Sequence, residues 1–144
     1  MLRLVMAKAV SFDFDGTLTQ IVWSEPLGVW INSRRPNEKM VRLLRRLAAR
    51  GYQVHIVTRR RSDSEGKTSA TEECGVGEFL REHGLGPCVT AIHFCGDHSP
   101  EGDKTTVLKK IAPQRHWDDL DQHVQEARRA GIRARKVRRP AGSQ

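Results

Sequence analysis

The chain has 144 residues, 38% hydrophobic and 29% charged, which suits one soluble domain with a real core and excludes a disordered chain. No apolar run approaches the roughly 20 residues that span a bilayer, and the opening "MLRLVMA" is too short for a secretory signal, so the expected location is the cytoplasm, away from membranes. The balance of 25 basic against 17 acidic residues gives +8, a charge that leans toward a polyanionic partner. Cys74, Cys88 and Cys95 form an odd set without repeated spacing, which fits a reducing compartment better than a disulfide framework.

In chain order, "KAVSFDFD" reads as a buried strand that stops at its first carboxylate. "IVWSEPLGVWI" places β-rich triplets on either side of Pro26 and Gly28, the pattern of a hairpin. From Pro36 a helix follows, with Met40, Leu43, Leu44 and Leu47 on one face and Gly51 at its C-terminal cap. "YQVHIV" is a second strand ending at Thr58, and "RRRSDSEGKT" after it is a loop. Ser69 to Glu72 has capping-box spacing and opens a helix expected to run to about His83, weakened by Gly75 and Gly77.

"VTAIHF" is a third strand, and Asp103 is placed to cap a helix carrying Val107, Leu108 and Ile111. "RHWDDL" is a very short strand before two acids, and polar for a central position. A helix with Leu120, Val124 and Ala127 inward comes next, then "IRARKV" as a last strand and a basic tail from about residue 138. Alternating strands and helices imply an α/β fold, a Rossmann-like three-layer sandwich with a mainly parallel central sheet. The hairpin after the first strand is a flap, and 1–144 is one domain.

In such sheets the site lies beyond the carboxyl ends of the strands, which collects Asp13, Asp15, Thr58, Lys104, Asp118 and Asp119 at one edge. Carboxylates two positions apart repel unless something positive lies between them. Asp13, Asp15 and Asp118 are hard oxygen donors too few for a calcium cage, a set that suits Mg2+ shared with a phosphate oxygen. One carboxylate could then attack phosphorus while a second moves the proton, with Thr58 and Lys104 on the phosphoryl oxygens.

"DFDGTLT" resembles the first motif of the haloacid dehalogenase superfamily of phosphohydrolases, Asp-x-Asp-Gly-Thr. "HIVT" is similar to the second, Lys104 followed by Leu108 to the third, and "HWDDL" to the acidic fourth, over residues 8 to 137 in the family's order. The resemblance implies Asp13 as nucleophile, and Asp15 as general acid/base with its backbone carbonyl on the metal. It puts Thr58 and Lys104 on the phosphoryl group, Gly16 and Thr17 beside the substrate, and Asp118 with Asp119 in the magnesium site.

The gaps between motifs leave no room for the cap domain that members often carry, so a bulky substrate or an oligomeric neighbour would have to close the site. Arg59 and Arg60 follow Thr58, Arg34 and Arg35 follow the hairpin, and Trp23 with Trp30 flanks its turn, where the rings could stack on a base or on each other. The favoured substrate is a nucleotide or nucleic-acid terminal phosphate, similar to that of the phosphatase domain of polynucleotide kinase-phosphatases. A small sugar or nucleotide phosphate, and an inert basic nucleic-acid-binding module, are the alternatives. Cys88, His93, Cys95 and His98 lack the paired spacing of a zinc loop and read as ordinary strand and loop residues.

Overall fold

The computed structural model describes residues 8–65 and 74–138. The basic tail and the Ser69–Glu72 capping spacing lie outside those residues. Five strands form a parallel sheet in the order β5-β4-β1-β6-β7: β1 (Ala9–Phe12), β4 (Gln53–Thr58), β5 (Ala91–Phe94), β6 (His116–Asp118) and β7 (Ala134–Lys136). The two remaining strands, β2 (Thr19–Ser24) and β3 (Val29–Pro36), make an antiparallel hairpin of their own.

Strand alternation divides the core in two. Val10, Phe12, Val54, Ile56 and Trp117 face one side, under α1 (Glu38–Ala49) and α2 (Val76–Glu82), and the Phe12 and Trp117 rings stack with centroids 4.8 Å apart. Val57 and Ala134 face the other, under α3 (Lys104–Ile111) and α4 (Asp121–Arg129). The sheet is therefore covered on both faces, as the run of strands and helices requires, and no cap domain stands among the described residues. Nor is any of their helices long and apolar enough to cross a membrane.

Three local outcomes bear on the site. The polar β6 is central after all, paired with β1 and β7 and buried along its length, because Ser11 Oγ and His116 Nδ1 satisfy each other at 2.8 Å between neighbouring strands. Leu120, expected to face inward, is 43% exposed: it is the N-cap of α4, and the helix buries His123, Val124 and Ala127 instead. Arg34 and Arg35 lie within β3 rather than after the hairpin.

Candidate active site

β1 runs out at Phe12, and Asp13 extends its pairing by one bond, its N–H donating to the Trp117 carbonyl at 2.9 Å. The chain then turns sharply, with Thr17 and Leu18 N–H donating back to the Phe14 carbonyl. Gly16 sits in this turn at φ +81°, and a Cβ there would lie 2.2 Å from Asp119 Oδ2, so no larger residue fits without moving the acid. The turn brings the Thr17 hydroxyl onto Asp13 Oδ2 at 2.9 Å. The other oxygen, Oδ1, accepts from Lys104 Nζ at 3.0 Å. Both oxygens of Asp13 are thus held from opposite sides.

Lys104 opens α3, where Asp103 caps the helix by accepting from the Thr106 N–H at 2.8 Å. Its buried ammonium bridges Asp13 and Asp118, the second contact being 2.9 Å to Asp118 Oδ2. Asp118 Oδ2 also meets His116 Nε2 at 3.1 Å, while Oδ1 accepts from the Leu120 N–H. A carboxylate only accepts, so Nε2 of His116 carries the proton and Nδ1 accepts from the Ser11 hydroxyl. His123 stands beside both partners, 3.4 Å from Lys104 Nζ and 3.5 Å from Asp118 Oδ1.

Burial and charge pull these groups in different directions. Burial pushes the Asp13 carboxyl well above the usual carboxylate range against the pull of Lys104, and the nearby Asp118 and Asp119 add to the rise. Burial works the same way on Asp118, but hydrogen bonds from His116 and His123 and the Lys104 charge outweigh it and hold that carboxyl below its usual range. Burial would lower the Lys104 ammonium, yet Asp13 and Asp118 raise it, so it stays charged. Burial keeps His116 below its ordinary value, in keeping with the neutral ring.

Asp15 points to a different cation. Arg60, at the start of the loop after β4, grips it in a fork, Nε to Oδ2 at 2.8 Å and Nη2 to Oδ1 at 2.7 Å. Nη1 of the same guanidinium donates to the carbonyls of Glu65 and Cys74, both at 2.7 Å, and the group lies over the Phe14 ring. Arg60 is buried and spent on the protein. Arg59 is its opposite, exposed and without an ion pair to any described residue. Arg61 pairs with Glu65, and Arg34 with Glu78 and Glu82.

These elements enclose an open cleft of about 620 Å3 at the carboxyl edge of the sheet. It brings together Asp13, Asp15, Thr58, Arg59, Arg60 and Asp119. Gly16, Thr17, Lys104 and Asp118 form the layer that holds its floor in place. Trp23 and Trp30 are not among its lining residues; they are cross-strand partners packed edge to face, centroids 5.6 Å apart. Sequence reasoning passed over three that are: Asn32 of the hairpin, Glu65 and His123. His123 carried a signal, since it shares a helical face with Leu120, Val124 and Ala127 near the end that meets the strand tips.

A hard cation fits this site. Asp13, Asp118 and Asp119 offer oxygens within 4.8 Å of one another. With Asp15, four carboxylates face two permanent cations, Lys104 and Arg60, leaving two formal negative charges for a divalent ion to neutralise. Asp119 opens onto the cleft, whereas Asp118 is fully buried behind it and committed to Lys104 and His116. An all-oxygen donor set favours a hard cation such as magnesium over a softer metal.

No family model matches the sequence, and no curated protein is significantly similar to it. Solved structures are. A chain of the Pnkp1/Rnl/Hen1 RNA repair complex superposes with a TM-score of 0.60 at 18% identity, over 94% of this chain and 43% of that one. The likeness shows a shared fold, a parallel α/β sheet covered on both faces. A 3-deoxy-D-manno-octulosonate 8-phosphate phosphatase from Moraxella catarrhalis, in complex with magnesium, phosphate and sugar, gives 0.45 at 21% identity, over 84% of this chain and 64% of that one. The chain spans less than two thirds of either.

Proposed function

We propose that the protein is a magnesium-dependent phosphomonoester hydrolase that works through an aspartyl-phosphate on Asp13, and that its substrate is a nucleotide or a nucleic-acid end. One observation carries the reading: Asp13 stands at the floor of an open cleft with Thr17 on one oxygen and Lys104 on the other. A buried nucleophile aimed in this way needs no general base, only a cation to hold it ionised.

Asp13 attacks phosphorus, and the bond to the leaving oxygen breaks as Asp15 gives that oxygen its proton. Water then attacks the acyl phosphate, Asp15 takes the proton back, and Asp13 is released with inorganic phosphate. Lys104 and the Thr58 hydroxyl, buried at the tip of β4, sit where charge builds on the phosphoryl oxygens. Arg60 sets the direction in which Asp15 faces the cleft, and Arg59 at the mouth is available to the substrate. Magnesium, held by Asp13, Asp119 and the Asp15 carbonyl with Asp118 behind, would neutralise the acids and polarise the phosphoryl group.

The absence of a cap among the described residues and the net charge of +8 favour a large polyanionic substrate. So does the likeness in fold to a chain from an RNA repair complex. A small sugar or nucleotide phosphate is the second reading. It draws on a polar cavity of about 440 Å3 that adjoins the cleft through Arg59 and His123 and is lined also by Asp97, Ser99 and Gln122. A reduced compartment, the cytoplasm, accords with three free thiols.

The deciding experiment measures phosphate release from an aryl phosphate and from 3′- and 5′-phosphorylated oligonucleotides, with magnesium or EDTA, for wild type and Asp13→Asn. Magnesium-dependent turnover that vanishes in the variant is the expected result; a panel of sugar and nucleotide phosphates run beside the oligonucleotides separates the two substrate readings, and the preferred oligonucleotide end narrows the first. Turnover that survives in Asp13→Asn, or none on any substrate, overturns the mechanism.

A further inference from the structure

The amino ends of β6 and β7 carry a second feature that hydrolysis does not use. Arg115 immediately precedes β6 and Arg133 immediately precedes β7, and the register His116↔Ala134 sets the two side by side. Arg135 lies two residues further along β7 and so on the same face as Arg133. Arg128, in the last turn of α4, reaches the same place and donates from Nε to the Ala134 carbonyl at 3.1 Å. Together with Gly131, Ile132 and Ala134 they line a recess of about 450 Å3. Four of its seven lining residues are arginines and none is acidic.

Clustered like charges cost free energy unless a counter-charge is supplied. None is supplied here: among the described residues Arg115, Arg128, Arg133 and Arg135 form no ion pair, and the pair on this edge, Lys136 with Asp121, does not involve them. Residues 128 to 138 contain six arginines and lysines and no acid. The recess also runs into a neighbouring one of about 530 Å3 that shares Arg115, Gly131 and Arg133 and holds the half-buried Tyr52.

We infer that this arginine recess is a binding site for the phosphodiester backbone of a nucleic-acid strand, distinct from the catalytic cleft. Guanidinium groups match phosphate oxygens in forked pairs, and several in one groove match a polymer of phosphates better than a single anion. The charge is in a recess rather than on a protrusion, which suits a strand lying in it and not a flat lipid surface. The two sites sit at opposite ends of the same strands, and β6, with three residues, rises about 10 Å between them. The inference does not depend on the hydrolytic reading.

The test uses the full chain and a fluorescein-labelled single-stranded oligonucleotide with hydroxyl ends, which is no substrate for a phosphomonoesterase. Anisotropy is followed across a salt series for wild type and Arg133→Gln/Arg135→Gln, two exposed side chains. Lys39→Gln/Arg42→Gln, on the exposed face of α1, removes the same charge elsewhere. Affinity at low salt should fall about tenfold or more in the recess variant, with the slope of log K against log salt reduced by about 1.4, or ~0.7 per lost phosphate contact. The α1 variant should bind like the wild type.

Equal losses in both variants would reduce the effect to net charge and overturn the inference, as would no loss in either. Binding to phosphatidylserine vesicles that depends on Arg133 and Arg135, without oligonucleotide binding, would overturn it in favour of a lipid surface. Arg135→Gln alone repeats the comparison if the double variant melts early. Binding that needs the recess in a protein without hydrolytic activity would leave this inference standing while the reading of the cleft falls.

Discussion

Replacing Lys104 with methionine keeps most of the side-chain volume and removes the charge that bridges Asp13 and Asp118 at 3.0 and 2.9 Å. Asp13, Asp118 and Asp119 then share a space within 4.8 Å with no cation in their midst. Two full negative charges at that distance repel by about 3.5 kcal/mol at an effective dielectric constant of roughly 20. Breaking a buried ion pair from one side costs about 3 to 5 kcal/mol. For a domain of this size the metal-free variant should melt about 10 °C below the wild type at neutral pH.

The deficit should depend on pH in a defined direction. Lys104, raised above its ordinary value, contributes its stabilisation at every pH below the normal lysine range and loses it only as pH climbs through the folded value. Asp13 is already raised by burial with Lys104 pulling it down, so without Lys104 it binds its proton at still higher pH. A carboxyl raised in the folded state favours folding at low pH and loses that contribution as pH rises. The gap between variant and wild type should therefore be smaller near pH 4, where Asp13 is protonated and only the Asp118 pair is lost, than near pH 8. Magnesium should recover more of the melting temperature in the variant than in the wild type. Differential scanning calorimetry with and without magnesium reads both, and a gap flat in pH and indifferent to magnesium would refute the charge argument.

Gly16→Ala should strain the turn by about 1 to 2 kcal/mol at its positive φ and push Asp119 aside, weakening magnesium binding at least tenfold by titration calorimetry. Arg60→Gln loses the fork on Asp15: if Arg60 acts through that acid, kcat falls about 100-fold with KM little changed, whereas direct contact with substrate would show as a raised KM. His116 and His55 are both held below the ordinary histidine value, chiefly by burial, so the stability they contribute is present above about pH 6.5 and lost as pH falls through their lowered values. His116→Gln and His55→Gln should each flatten the decline in melting temperature of the metal-free protein over that acid range.

Much of the architecture is written in local patterns. Met40 and Leu44 appear at helical spacing because α1 needs one apolar face, and Thr58 ends its strand where the burial stops. Asp103 caps α3 because a short acid before a helix satisfies its free N–H groups. What the sequence hides depends on pairs made across the fold. The polar residues of β6 look wrong for a central strand until Ser11, 105 positions earlier, is placed beside His116. His93, considered as part of a metal loop, turns out to bridge His55 on the adjacent strand and Glu101, at 2.9 and 2.7 Å. Cys95 is buried, its thiol pushed up to about 11 chiefly by that burial, which is the state of an inert core residue. Arg59 and Arg60 look equivalent in a run of three arginines, and only the turn after Thr58 sends one to solvent and the other to Asp15.

That last separation explains why Asp13 and Asp15 tolerate each other two residues apart. In an extended strand the pair would share a face and repel, but the chain leaves the strand at Phe12 and the two side chains go to different counter-charges. Asp13 takes Lys104 from α3 and Asp15 takes Arg60 from the loop after β4, so each acid is fixed by a cation from a different part of the chain. Neither cation can serve both acids. The arrangement therefore gives two carboxylates in one cleft unlike surroundings, Asp13 rigid and buried against a lysine, Asp15 part-exposed and steered by an arginine, which is what separate roles as nucleophile and proton carrier require.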